Sequence, residues 1–112
     1  MIDTSFEDSW KALEKRIAVD FGGDLDLQGI LFLIGVQELG KGAQEFTKDQ
    51  KLDVIHLAIC RVLEPFGFYK LSHSDQDGWP HYENLKTIPA LKPGEQLKLM
   101  KQAILEYFEE IY

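Results

Sequence analysis

The chain has a single cysteine, Cys60, and no basic run longer than Lys15-Arg16. A lone cysteine cannot form an internal disulfide, which indicates either a reducing compartment or a fold that does not depend on oxidation. With 19 acidic and 12 basic residues, the formal net charge is −7, so the chain repels a phosphate backbone on average. We therefore expect no nucleic-acid partner.

Long hydrophobic runs are also missing. The longest covers residues 30–36, far short of the ~20 residues that a membrane-spanning helix requires. The first residues are charged from Asp3 onwards and lack the basic start and apolar stretch of a secretory signal. We expect no membrane association and a cytoplasmic location.

Length and composition predict a single globular domain over residues 1–112. A chain of 112 residues leaves no room for two cores of normal size. Its hydrophobic content of 45% is too high for a disordered chain, and the core it can bury needs neither disulfides nor a structural metal.

Apolar residues at helical spacing predict a first helix over about residues 5–20. Thr4 and Glu7 have the spacing of a capping box at its start, and Gly22-Gly23 ends it. The apolar stripe of this helix consists of Phe6, Trp10, Leu13, Ile17 and Phe21.

A second helix is predicted over residues 25–39, with Asp24 as its N-cap. Its apolar residues occupy nearly the whole helical wheel, which predicts a central helix buried between the others. Gly29 and Gly35 lower the helix propensity, a loss that close approach of neighbouring backbones would explain. A buried strand is the alternative, but the length of the segment and the "GKG" sequence after it favour a helix.

The third helix is predicted to start after Thr47, which has capping-box spacing to Gln50, and to end near residue 64, before Pro65. Its stripe comprises Leu52, Ile55, Ala58, Ile59, Val62 and Leu63. The fourth helix has Pro93 at its first position and is the most clearly amphipathic one. Its stripe comprises Leu97, Met100, Ile104, Tyr107, Phe108 and Ile111.

Between these two helices, residues 66–85 are rich in aromatic and turn residues and have no helical period. A strand, a tight turn and a second strand fit this segment best. The predicted fold class is therefore mainly α, with about four helices and a small β-hairpin or irregular aromatic insert between helices three and four.

The turn of this insert is rich in possible metal ligands. His73, Asp75, Asp77 and His81 are weak candidates for a zinc or transition-metal site. The "DQDG" stretch also resembles a calcium loop, but in that register His73 and Asn84 occupy the first and twelfth positions, where carboxylates belong. We expect no metal, because turn aspartates commonly accept hydrogen bonds from nearby backbone NH groups.

Two hairpin registers differ in whether the two histidines meet. A two-residue turn at residues 77–78 places His73 opposite Tyr82 and leaves His81 on the other face. A five-residue loop at residues 74–78 places both histidines on one face. Only the second register allows a joint site.

His56 and Cys60 lie four residues apart, so they share one face of the third helix. A thiolate beside an imidazole is the minimum for nucleophilic catalysis by cysteine. The pair borders the apolar stripe, however, where a free cysteine usually behaves as a small hydrophobic residue. The sequence contains no nucleophile-elbow serine, phosphate-binding glycine loop, CxxC or HExxH motif, so it leans against an enzyme and predicts no cofactor.

Aromatic residues are the strongest remaining signal. The insert has more of them than a short hairpin can bury against itself, so they either cover the helical core or face a partner. The candidate interface or ligand-contact residues are Phe68, Tyr69, Trp79 and Tyr82.

These features predict a small acidic cytoplasmic domain that acts as a non-enzymatic protein-interaction or self-associating module. Its partner would be another protein or a second copy of the chain, bound through the aromatic insert. The alternative is a small metal-binding protein or metal-dependent hydrolase with ligands from residues 73–83. A weaker option is a small-molecule pocket beneath the aromatic residues.

Overall fold

The computed structural model describes residues 4–23, 25–40, 45–87 and 91–111. A hairpin of two antiparallel strands follows a short 3₁₀ turn between the third and fourth helices, which confirms the predicted fold class. In the described ranges, no helix is long and apolar enough to cross a membrane. The elements in chain order are α1 (Thr4–Phe21), α2 (Leu27–Leu39), α3 (Lys48–Leu63), the 3₁₀ turn (Glu64–Phe66), β1 (Tyr69–Ser74), β2 (Pro80–Asn84) and α4 (Pro93–Ile111).

Side-chain caps set two of the helix starts. The predicted capping box of α3 is confirmed: the Gln50 backbone NH donates to Thr47 Oγ1 at 3.2 Å, and the Thr47 NH donates to Gln50 Oε1 at 2.8 Å. Helix α2 starts two residues later than predicted because Asp26 is its N-cap and accepts from the Gly29 NH at 2.8 Å. The predicted cap, Asp24, lies outside the described residues.

Helix α3, rather than α2, is the central element. It packs against α2, α4 and the hairpin, whereas α1 packs mainly against α4. Phe32, Leu33 and Val36 on α2 stay half-exposed, so the prediction that the second helix is buried between the others is wrong. Part of this apolar surface is covered by the connecting segment instead, since the rings of Phe32 and Phe46 meet edge to face with centroids 5.6 Å apart.

The two helices α2 and α3 approach closely at Gly35. A β-carbon at this position would collide with the backbone carbonyl and the side chain of Val54 on α3, which confirms the close approach predicted from the sequence. The same prediction fails for Gly29. The atoms nearest to a β-carbon there belong to Leu25 and Asp26, directly before the helix, and not to a neighbouring helix.

The main core lies between the helices, and a second cluster joins α2, α3 and the hairpin around Leu39, Val54 and Leu57. Because α3 is covered from more than one side, it buries Val54, Leu57 and Cys60 in addition to much of its predicted stripe. The predicted stripes are wrong near helix ends, where Phe21, Leu52 and Leu97 are exposed. The side chains of Thr4 and Ile111 lie outside the described part of the chain.

Candidate functional site

The candidate site is a cleft of about 220 Å³ between α3 and the hairpin. It brings together two features that lie far apart in the sequence, the histidine and cysteine of α3 and the aromatic residues of the insert. The lining residues are Asp53, His56, Leu57 and Cys60 from α3, and Trp79, Pro80, His81 and Tyr82 from the hairpin.

The loop at the hairpin tip is organised by Asp75. Its Oδ1 atom accepts hydrogen bonds from the backbone NH groups of Asp77 and Trp79, each at 2.9 Å. The Gly78 NH donates to the Asp75 carbonyl at 2.9 Å, and Gly78 has a φ of 82°, a conformation that favours glycine. The aspartate therefore acts as the turn residue that the sequence predicted.

The hairpin register differs from both predicted registers. His73 lies directly opposite His81, while Leu71 lies opposite Tyr82, with an irregularity in β1 between the two pairs. Ser72 is the extra residue of this bulge, which shifts the loop to residues 75–79. The histidines do share a face, as the five-residue alternative required, but they are direct cross-strand partners.

The two imidazoles form an exposed stack. Their ring centroids are 4.9 Å apart and their planes are inclined by only 7°. His81 Nε2 lies 2.9 Å from Asp75 Oδ2, and His73 Nδ1 lies 3.0 Å from Ser72 Oγ. The hydrogen bonds from His81 and from the Trp79 backbone hold the pKa of Asp75 below its usual value.

The metal-ligand candidates do not form a coordination site. Among the described residues, no group of three or more histidine, cysteine, aspartate and glutamate side chains is placed to hold a metal ion. Asp75 instead binds the loop backbone and His81. Stacked rings with nearly parallel planes also differ from the convergent ligands of a tetrahedral zinc site.

His56 and Cys60 are close but have the wrong environment for a nucleophilic cysteine. His56 Nε2 lies 3.7 Å from Cys60 Sγ. Cys60 is only 3% exposed, and burial raises the pKa of its thiol to about 11. A catalytic cysteine needs a lowered pKa, so the structure favours the small hydrophobic role for Cys60.

The aromatic residues of the insert cover two different parts of the core. Phe68 is buried in the main core, and Phe66 and Tyr69 pack against that core from the side. Trp79 and Tyr82 pack half-buried against the second cluster, around Leu39, Val54 and Leu57. Burial raises the pKa of Tyr82 to about 12. Of the four aromatic candidates, Trp79 and Tyr82 line the cleft and Phe68 faces the interior.

Sequence reasoning missed a polar network that links α2, α3 and α4. Arg61 Nε donates to Glu38 Oε1 at 2.8 Å, and the Tyr107 hydroxyl donates to Glu38 Oε2 at 3.0 Å. The Arg61 guanidinium also lies 5.0 Å from the centre of the Tyr107 ring. These residues are far apart in the sequence, so no local pattern signals their contact. The network borders a second cavity, of about 450 Å³, lined by residues of α3, the 3₁₀ turn and α4.

Comparison with known proteins found no matching family model, no matching curated protein and no matching solved structure.

Proposed function

We propose that this chain is a non-enzymatic, cytoplasmic protein-interaction domain that associates with a second copy of itself through the hairpin. One observation is its main support: residues 68–82 contribute side chains to both core clusters, yet part of the apolar surface of the hairpin stays exposed. Leu71, the cross-strand partner of the half-buried Tyr82, remains 46% exposed, and Leu85, directly after β2, is 51% exposed. Tryptophan and tyrosine are common anchors of protein interfaces.

The charge distribution supports self-association at this place. The whole chain carries a net charge of −7, so most approaches of two copies are repulsive. The two strands contain one lysine, Lys70, and one glutamate, Glu83, and these two residues are paired across the strands. With neutral histidines the two strands themselves therefore have no net charge, whereas the loop between them adds Asp75 and Asp77. Two copies that meet along the strands, away from the loops, therefore avoid strong repulsion.

The size of the cleft favours a protein partner over a small molecule. Pockets for drug-sized ligands commonly measure about 300–1,000 Å³, whereas the cleft between α3 and the hairpin measures about 220 Å³. A cleft of this size suits a single side chain. We propose no cofactor. The metal-dependent alternative receives no support from the arrangement of His73, Asp75 and His81.

Sedimentation velocity over a hundredfold range of concentration tests this proposal. The wild-type sedimentation coefficient should increase with concentration. Leu71→Glu should weaken association at least tenfold, about 1.4 kcal/mol, because it places a charge within the apolar part of the contact. Since Leu71 is 46% exposed, this change should leave the fold intact.

Leu97→Glu is the matched control, because Leu97 on α4 is 43% exposed and lies outside the hairpin. It should associate as the wild type does. A wild-type chain that stays monomeric at the highest concentration contradicts the proposal. Equal weakening by the two substitutions contradicts it as well, since the effect would then follow total charge rather than the hairpin surface.

A further inference from the structure

We propose that the stacked histidine pair makes closure of the hairpin depend on protons: the hairpin loosens when both His73 and His81 are protonated, and Asp75 offsets part of this loosening. Closure here means the state in which both strands are paired and the loop is held by Asp75. This inference concerns the isolated chain and does not need self-association.

The structure places the imidazole rings of His73 and His81 next to each other, so their charges are adjacent when both rings are protonated. His73 and His81 are cross-strand partners with ring centroids 4.9 Å apart and nearly parallel planes. The bulge at Ser72 sets this register, and no regular two-residue turn produces it. Protonation of both rings puts like charges on neighbours. At this separation in water, the repulsion disfavours the closed hairpin about fourfold.

A proton on His81 has the opposite effect. Its Nε2 atom lies 2.9 Å from Asp75 Oδ2, and a charged imidazole strengthens this contact. Both side chains are substantially exposed, so this contact has the strength of a surface ion pair and favours the closed hairpin about twofold. The lowered pKa of Asp75 keeps it a carboxylate wherever imidazoles titrate. The net expectation for the wild type is therefore about a twofold loss of closure between pH 8 and pH 5.

Other charged groups near the pair come from each element that packs against the hairpin. Alternation along the strands places Lys70 and Glu83 beside the histidines on the same face. Burial keeps Cys60 and Tyr82 protonated throughout this range, because their pKa values are raised to about 11 and about 12. The remaining neighbours are Asp53 and His56 of α3, Glu64 of the 3₁₀ turn and Asp77 of the loop.

Native-state hydrogen exchange measures closure directly. The Leu85 NH, which donates to the Phe68 carbonyl at 2.9 Å, and the Asp75 NH, which donates to the Trp79 carbonyl at 3.0 Å, report on the base and the tip of the hairpin. Protection factors, corrected for the pH dependence of intrinsic exchange, are compared with that of Leu63 in the core. Dilute protein keeps self-association out of the measurement, so a failure here is separate from a failure of the proposed function.

Two variants should change the pH dependence of protection in opposite directions, and a third is the control. In His73→Gln only the contact between Asp75 and His81 remains, so protection should rise about twofold from pH 8 to pH 5. In Asp75→Asn only the repulsion remains, so protection should fall about fourfold. His56→Gln replaces the third histidine of the chain and should reproduce the wild-type twofold fall. The proposal is overturned if wild-type protection does not change with pH, or if His73→Gln shows the same fall as the wild type.

Discussion

The other helices and the hairpin both pack against α3 through apolar side chains, but different features fix their positions. On the α2 side, contact depends on shape: Gly35 lets two helix backbones approach and buries Val54 completely. On the hairpin side, polar groups fix the backbone of the hairpin itself, with Glu64 Oε2 of the 3₁₀ turn accepting from the Leu71 NH at 3.1 Å and Asp75 organising the loop. Aromatic side chains then fill the space between the hairpin and α3.

This difference explains why the candidate site lies on the hairpin. A close-packed helix contact has no surface left over for a ligand, and substitutions there change stability. An exposed loop carried on a rigid helix can change its contacts at small cost, and functional residues often occupy such loops. The cleft lies where the two kinds of structure meet, between Leu57 and Cys60 on α3 and Trp79 on the hairpin.

Gly35→Ala should have the largest effect, because it breaks the contact between α2 and α3. The added β-carbon would collide with the carbonyl of Val54, so the helices must separate. We expect a loss of about 2–3 kcal/mol in the free energy of unfolding, measured by urea denaturation. Gly94→Ala is the control, since a β-carbon at Gly94 meets nothing within 4 Å. Equal effects of the two substitutions would show that helix propensity, rather than packing, governs Gly35.

The reactivity of the Cys60 thiol tests whether the α3 side of the cleft is shielded from solvent, as the burial of Cys60 indicates. At pH 8 a thiol with a pKa of about 11 should react with iodoacetamide roughly a hundredfold more slowly than an unstructured cysteine peptide. Unfolding in urea should remove the difference. A native Cys60 that reacts as fast as the peptide would mean that the hairpin opens readily and exposes α3.

Asp75→Asn should have the smallest effect, and the effect should depend on pH. The folded state lowers the pKa of Asp75, so its ionised form stabilises the fold above the unfolded pKa of about 3.9. This contribution is lost as the pH falls through the lower, folded value. Thermal unfolding of the wild type and of Asp75→Asn should therefore differ at pH 4.5 and converge near pH 2. A difference that persists at pH 2 would assign the effect to the neutral hydrogen bonds of the loop.

Sequence patterns predicted the elements well wherever a local rule applies. The capping box at Thr47, the start of α4 at Pro93 and the hairpin between helices three and four all follow from neighbouring residues. The close approach at Gly35 could be inferred because a glycine within an apolar helix carries a cost that packing must offset. Of the residues that line the candidate site, the sequence singled out Trp79 and Tyr82 as contact candidates and His56, Cys60 and His81 as chemical candidates, but it did not place the two groups together.

The errors concern contacts between distant segments. Apolar residues around nearly the whole wheel predicted that α2 is central. The position of a helix depends, however, on which elements pack against it, and α3 has the most contacts with other elements. The hairpin register depended on a single bulge residue, Ser72, which no turn signal marks. The partnership of Arg61 with Glu38 and Tyr107 joins three helices and leaves no periodic trace in the sequence.

The sequence by itself determined the class of this protein: four amphipathic or apolar helices, an aromatic insert between the third and fourth, and an acidic chain with one cysteine. These properties come from periodicity, capping and composition, which are local. Only the tertiary structure decided that His73 and His81 stack, that Trp79 and Tyr82 share a cleft with His56 and that Cys60 is shielded from solvent. The physical reason is that register and burial depend on which surfaces meet, and that choice involves the whole chain.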